Sequence, residues 1–444
     1  MGRPTALLFL AFIAATLMLA ATGSIVFASD PVDRPMRAEL GLFSQADPVN
    51  PTIPAQGMDT ANSSSVLAEV AAGGNHTCAK IGGDLRCWGD NRYGQLGDDT
   101  TVDRVTPVDV VNIDDRVEGL VAGDYHTCVI RVNTTVSCWG DNRYGQLGDG
   151  TATSRAFPAP VADLFNVIAL AAGDLHTCAL TGEGAVLCWG YNRYGQVGNG
   201  NTLTQRTPVV VVASGAHAIA AGGSHTCALS TDDAAYCWGL NDRGQLGDGT
   251  NVNRLTPVEV IGPFIDSVHI AAGLGHTCAL HSGNGAMCWG DNFSGQLGDG
   301  TRTEQWLPIL VTDLSSGVQQ LAGGDYHTCA RTSVGGAYCW GYNGHGEIGD
   351  GTWETRLTPV AVSSLNQGVT DIATGDYHSC ALTVAGGLWC WGLNDNGQLG
   401  DGSESNRLSP VAVAWPTPSV PPIDGAVTDD GGKPIPGVRV DLLD

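Results

Sequence analysis

Residues 168–190 read Ile168-Ala-Leu-Ala-Ala-Gly-Asp-Leu-His-Thr-Cys-Ala-Leu-Thr-Gly-Glu-Gly-Ala-Val-Leu-Cys-Trp-Gly190. A short apolar run ends at Gly173, the loop Asp174-Leu175 follows, and His176-Thr-Cys-Ala-Leu180 forms a second run. Thr181-Gly-Glu-Gly184 has the residues of a tight turn, and Ala185-Val-Leu-Cys-Trp-Gly190 is a third run. Beyond the long turn at 191–200, a fourth run lies near Pro208-Val-Val-Val-Val212. Four short strands joined by Gly-rich turns are the pattern of a propeller blade.

The same unit is written seven times. Trp88, Trp139, Trp189, Trp238, Trp289, Trp340 and Trp391 each stand between a Cys and a Gly, and they recur every 49 to 51 residues. Self-similarity at this period means stacked supersecondary units. The expectation is an all-β protein: a seven-bladed β-propeller of four-stranded blades over residues 66–414. An open solenoid is the alternative, but seven equal units close naturally into a ring. Composition agrees, because 62 Gly and only 15% charged residues suit turns and strands better than helices.

The cysteines fall into seven pairs, with none left over. They are Cys78 with Cys87, Cys128 with Cys138, Cys178 with Cys188, Cys227 with Cys237, Cys278 with Cys288, Cys329 with Cys339, and Cys380 with Cys390. Cys178 and Cys188 are symmetric about Glu183, so they face each other across the predicted hairpin. Cross-strand Cα separations of roughly 4.5–5.5 Å are within disulfide reach. His-x-Cys with a second Cys opposite gives three candidate metal ligands per unit, but structural zinc needs four. One disulfide per blade is the reading, in an oxidising compartment.

The N-terminus points to the same address. Arg3 is the one charge before an uncharged run at 4–29, and Val26-Phe27-Ala28 resembles a cleavage site. Residues 1–28 are read as a signal peptide, with retention as a membrane anchor the alternative. Either places the repeats outside the cytoplasm, secreted or at the cell surface. A net charge of −24 argues against nucleic acid or anionic membrane as partners, beyond that signal or anchor segment.

Ala-Ala-Gly-x-x-His-Thr-Cys-Ala-Leu, followed by Cys-Trp-Gly-x-Asn-x-x-Gly-Gln-Leu-Gly-Asp-Gly-Thr and Thr-Pro-Val, resembles the repeat of the regulator of chromosome condensation family. Asp141-Asn-Arg-Tyr-Gly-Gln-Leu-Gly-Asp-Gly-Thr151 is a full match to that pattern. The resemblance covers all seven units and implies the seven-bladed propeller. The chain departs from the family at its cysteines, where apolar residues are usual. The family includes a nuclear exchange factor for the Ran GTPase, a plant UV-B photoreceptor and a secreted bacterial inhibitor of β-lactamases. The basic nucleosome-binding arm of that exchange factor has no counterpart, since 29–65 carries only Arg34 and Arg37 as cations, and export and acidity make guanine-nucleotide exchange the least expected role. The photoreceptor clusters surface tryptophans, whereas seven of the eleven Trp here occupy the regular Cys-Trp-Gly position, which suits packing between blades.

A sevenfold array is mostly scaffold, so function should sit where the copies differ. His76, His126, His176, His225, His276, His327 and His378 recur identically, which favours a blade-building contact over a metal ring. The Asn-x-x-Gly-Gln-Leu-Gly-Asp-Gly-Thr turns lack the order of an EF-hand loop. No catalytic motif and no cofactor signature stands out, so the chain is not read as an enzyme. Between Gly and His the copies diverge: Asn75, Asp124-Tyr125, Asp174-Leu175, Ser224, Leu274-Gly275, Asp325-Tyr326 and Asp376-Tyr377. Sharing one place in every blade, they should gather on one face. Asp124, Tyr125, Asp174, Asp325, Tyr326, Asp376 and Tyr377 are therefore the candidate partner-binding residues, with a basic protein as ligand.

The expected activity is that of a monomeric extracellular binding or adhesion scaffold; inhibition of a secreted or periplasmic enzyme such as a β-lactamase is the alternative. Residues 29–65 read as a disordered tether and 415–424 as a Pro-rich linker. Residues 425–444 resemble the opening of a carboxypeptidase-regulatory-like β-sandwich, too short to fold alone.

Overall fold

The structure is a computed structural model and describes residues 68–416, except 114–115, 233, 263–266 and 282. The predicted signal segment, the tether, nearly all of the linker and the β-sandwich fragment lie outside the described residues. Twenty-eight strands form seven antiparallel sheets of four, each built from four consecutive strands. The blades span 69–109, 117–160, 167–212, 216–259, 270–310, 318–361 and 369–412.

Blade 3 illustrates the unit. Its strands are Val167–Ala172, His176–Thr181, Val186–Gly190 and Gln205–Val212, from the ring axis outwards. The last begins earlier than the apolar run suggested, because Gln205 also pairs with Gly190 across a bulge.

All seven predicted disulfides are present, each between residues paired in register across the middle hairpin of its blade. Cys78 is bonded to Cys87 in blade 1, Cys128 to Cys138 in blade 2, and Cys178 to Cys188 in blade 3. Cys227 is bonded to Cys237 in blade 4 and Cys278 to Cys288 in blade 5. Cys329 is bonded to Cys339 in blade 6 and Cys380 to Cys390 in blade 7. One expectation needs correcting. The paired Cα atoms are 4.0–4.1 Å apart, closer than the anticipated cross-strand spacing, because the bridge draws the two strands together.

Strand alternation assigns the two faces of each sheet different tasks. Cys178 and Cys188 share one face, while Thr177 and Trp189, also paired, lie on the other. The disulfide face of one blade packs on the tryptophan face of the next. Between blades 2 and 3 the core comprises Cys128, Ile130, Val136, Cys138, Leu147 and Val161 against Ala179 and Trp189. Between blades 7 and 1, Cys380, Cys390, Leu399 and Val413 meet Ala79 and Trp88.

A polar circuit accompanies this packing. The Gln146 carbonyl of blade 2 accepts both the Thr177 hydroxyl at 2.9 Å and the Trp189 indole N–H at 2.8 Å from blade 3. Because Thr177 spends its proton there, its oxygen must accept from His126 Nε2, 2.9 Å away. The ring therefore carries its proton on Nε2. The arrangement repeats at every junction, with Ser379 and Glu347 standing for Thr and Gln at the sixth. At the closing junction His378 meets Thr77 at 2.8 Å, while Thr77 and Trp88 both donate to the Gln398 carbonyl. Burial pushes the seven imidazoles down to about 3 or 4, so they stay neutral.

Among the described residues, closure uses no shared strand. The innermost strand Glu69–Ala72 packs on Val369–Thr374 and His378–Thr383 of blade 7. Val70 N–H donates to Asp371 Oδ2 at 3.0 Å. Trp415, which the sequence reading assigned to the linker, stands edge-on to Trp88 with the Arg86 guanidinium over its ring.

The Gly before each variable loop is dictated by the same junction. A Cβ on Gly173 would lie 2.3 Å from the Gly222 carbonyl and 2.4 Å from the His176 ring. Gly173→Ala is expected to lower unfolding free energy by about 1–3 kcal/mol or more through overpacking. Gly275→Ala, whose Cβ would meet Asp291 at an ordinary 3.4 Å, should stay within about 0.5 kcal/mol of the parent. Urea unfolding of the two variants checks both. Removing one disulfide by the double substitution Cys178→Ala and Cys188→Ala should lower stability by about 2–3 kcal/mol for so short a loop, read in the same assay.

Candidate functional site

The loops between innermost and second strands all open at one end of the ring. Each has two positions with different destinations. The first positions, Gly74, Asp124, Asp174, Gly223, Leu274, Asp325 and Asp376, surround the axial mouth, together with the glycines that precede them. This mouth encloses only about 60 Å³. The second positions, Asn75, Tyr125, Leu175, Ser224, Gly275, Tyr326 and Tyr377, stand farther out and meet the Trp-Gly-x-Asn turns.

The four aspartates are thus brought together, as their register predicted. Loss of hydration, reinforced by mutual repulsion, holds Asp124 and Asp325 well above the usual carboxylate range. Burial raises Asp174 to about 6, and a hydrogen bond with Asp124 moderates the rise. Asp376 is pushed up to about 7 by burial and then by Asp174. All four carboxyls are thus held above the usual carboxylate range by burial and by one another.

The tyrosines do not form one cluster. Tyr326 and Tyr377 have ring centroids 6.0 Å apart and share a nest with Tyr342 and His345. Tyr125 belongs to a separate stack, 5.3 Å from Tyr93, with Arg92 over Tyr125 and Arg143 over Tyr93. A third group joins Tyr144, Tyr191 and Tyr194. Burial raises the Tyr125, Tyr326 and Tyr377 phenols, which keep their protons.

Tyr93, Tyr144, Tyr191, Tyr194 and Tyr342 escaped the sequence reading because the turns carrying them were read only as turns. Their signal was available: the positions flanking the constant Asn differ from copy to copy, as Asp141, Tyr191, Leu240 and Tyr342 do. The constant part of each turn is structural. Asn142 Oδ1 accepts the Leu147 N–H, and its amide donates to Asp149 and to the Thr153 carbonyl. Asp149 in turn binds Arg155 at 2.7 Å, so a guanidinium already neutralises the acid that superficially suggested calcium. The same Arg–Asp pair recurs in blades 1, 4, 6 and 7.

Glu347, where the other blades have Gln, is fully buried with Oε2 accepting the His345 N–H at 2.8 Å. Burial raises its carboxyl to about 7. Its backbone carbonyl accepts from Ser379 and Trp391, and its carboxyl adds a further buried acid to those of the mouth.

Comparison with known proteins places this geometry. The family described as the RCC1-like domain matches residues 36–367 and 217–429. The ultraviolet-B receptor UVR8 of Arabidopsis thaliana is 33% identical over 352 residues, 78% of this chain and 70% of that protein. The probable E3 ubiquitin-protein ligase HERC4 of Homo sapiens is 36% identical over 34% of this chain, a match that spans only 14% of its own length. Among solved structures, human WBSCR16 superposes with a TM-score of 0.67 at 24% identity, covering 74% of this chain and 94% of that one. Yeast RCC1 (Prp20), solved bound to Kap60, gives 0.68 at 20% identity over 82% and 91%; these two likenesses concern the fold alone. With matching repeats across all seven blades and a relative aligned over most of both chains, the protein belongs to the RCC1-like domain family.

Proposed function

We propose that this propeller is an exported protein-binding module that captures a basic protein partner on its variable-loop face. The observation that carries the reading is the division of each repeat. Junction residues are nearly constant, whereas the residues facing outwards at one end of the ring vary and are rich in Tyr and Asp. Tyrosine gives large contact area at low entropic cost, and carboxylates favour a cationic partner. Seven disulfides among the described residues, with no free cysteine there, support an oxidising compartment.

Affinity capture from the native extracellular medium tests the reading. The parent should retain one or a few proteins that a triple variant (Tyr125→Ala, Tyr326→Ala, Tyr377→Ala) of equal melting temperature loses. Equal retention by both forms rules out the face. The mouth also sets a pH dependence. Raising the pH from about 5.5 to about 8 removes protons from Asp174 and Asp376, whose carboxyls titrate at about 6 and 7. Affinity for the captured basic partner should therefore rise across that interval. A double variant, Asp174→Asn with Asp376→Asn, should show a flatter profile by titration calorimetry.

A further inference from the structure

On the loop face tyrosine rings gather in three clusters, Tyr93 with Tyr125, Tyr144 with Tyr191, and Tyr326 with Tyr342 and Tyr377, whereas blades 4 and 5 carry the smallest residues at the second loop position. Where blades 2, 6 and 7 have Tyr125, Tyr326 and Tyr377, blade 4 has Ser224 and blade 5 has Gly275. The missing side chains leave a cavity of about 440 Å³. Leu274 lines both this cavity and the axial mouth, so the two are neighbours.

The walls are specific in kind. Leu240, Leu274 and the rings of Tyr326 and Phe293 supply apolar surface, and Phe293 is exposed. Three carboxylates, Asp242, Asp291 and Glu304, stand with two guanidinium groups, Arg243 and Arg302. Both cations are already engaged: Arg243 pairs with Glu304 at 2.6 Å, and Arg302 donates to the Phe293 carbonyl at 2.8 Å. The two aspartates accept from neutral donors. Asp291 accepts the Phe293 N–H at 3.1 Å and the Gln296 amide at 3.0 Å, and Asp242 accepts the Gln245 amide at 3.3 Å. The cavity thus offers aromatic surface and more carboxylates than cations, beside a mouth carrying four further acids.

We infer that this cavity is the anchor pocket of the binding face and takes an arginine side chain presented on a loop of the partner. A planar guanidinium can lie against Phe293 and Tyr326 while donating to Asp242 and Asp291, and its methylene stem can cover Leu240 and Leu274. Lysine offers a point charge without the planar stacking surface. The inference rests on the proposed protein-binding function and names the chemistry by which that face selects its partner.

The probe is N-acetyl-arginine N-methylamide, titrated into the full-length chain by saturation-transfer NMR beside the leucine and glutamate analogues. The arginine compound should bind, the leucine compound about tenfold more weakly, and the glutamate compound not at all. Gly275→Tyr, which introduces the ring that blades 2, 6 and 7 carry at this position where a Cβ is sterically accepted, should abolish the signal at unchanged melting temperature. The pair Asp242→Asn and Asp291→Asn, which leaves the walls in place, should weaken it about tenfold. Absence of arginine binding overturns the inference, as does equal binding of the glutamate analogue or persistence in Gly275→Tyr. Failure here is separable from failure of the binding face. A captured partner lost in the triple tyrosine variant but retained by Gly275→Tyr overturns the pocket alone. If no partner is captured, the arginine titration still decides whether the pocket is correctly assigned.

Discussion

One backbone carbonyl per blade governs this ring. The Gln146 carbonyl and its six counterparts each receive two donors from the following blade, a threonine or serine hydroxyl and a tryptophan indole. Neither donor can turn to water, since the residues bearing them are fully buried. An unmade bond at such a site costs more than a made one contributes, so the geometry of each junction is tightly specified. The histidine behind the hydroxyl completes the arrangement and fixes its direction. These contacts do what a shared strand does in other ring closures, and the seam between the last and first blades uses the same set.

Disulfide and tryptophan belong to this same logic. The paired cysteines lie within one hairpin, so they stiffen a blade and do not link blades. Their sulfurs nonetheless form part of the surface on which the next tryptophan rests, since both cysteines of a blade sit in the apolar cluster that includes that indole. Sequence constancy is therefore greatest on the two faces of each sheet. Variation is pushed to the loop ends, where neither face makes demands.

How much of this could be seen in the residues follows from what each signal is made of. The pairing of Cys178 with Cys188, and of Cys78 with Cys87 in the shorter first hairpin, was legible because hairpin symmetry is a property of spacing. The structural role of His176 was legible as recurrence, but its partner was not, since Thr226 lies in another repeat. Gathering of Asp124, Asp174, Asp325 and Asp376 followed from register. Their separation from the tyrosines did not, because two adjacent loop residues point to different places and no periodicity records that. The pocket beside Gly275 was the least visible feature. A cavity is the absence of a side chain, and a lone glycine in a loop has many ordinary reasons. Trp415 illustrates the converse: a proline-flanked residue with linker composition is held on the ring by Trp88 and Arg86.

The continuity of every blade along the chain has a topological consequence. Since no sheet of the described residues borrows a strand from the opposite end of the propeller, the seam is held by the same histidine, hydroxyl and carbonyl contacts as the other boundaries. The order in which the blades are threaded is therefore immaterial to the finished object. A gene rearranged to start at blade 2 or blade 5, with the old ends bridged, specifies the same ring and the same loop face.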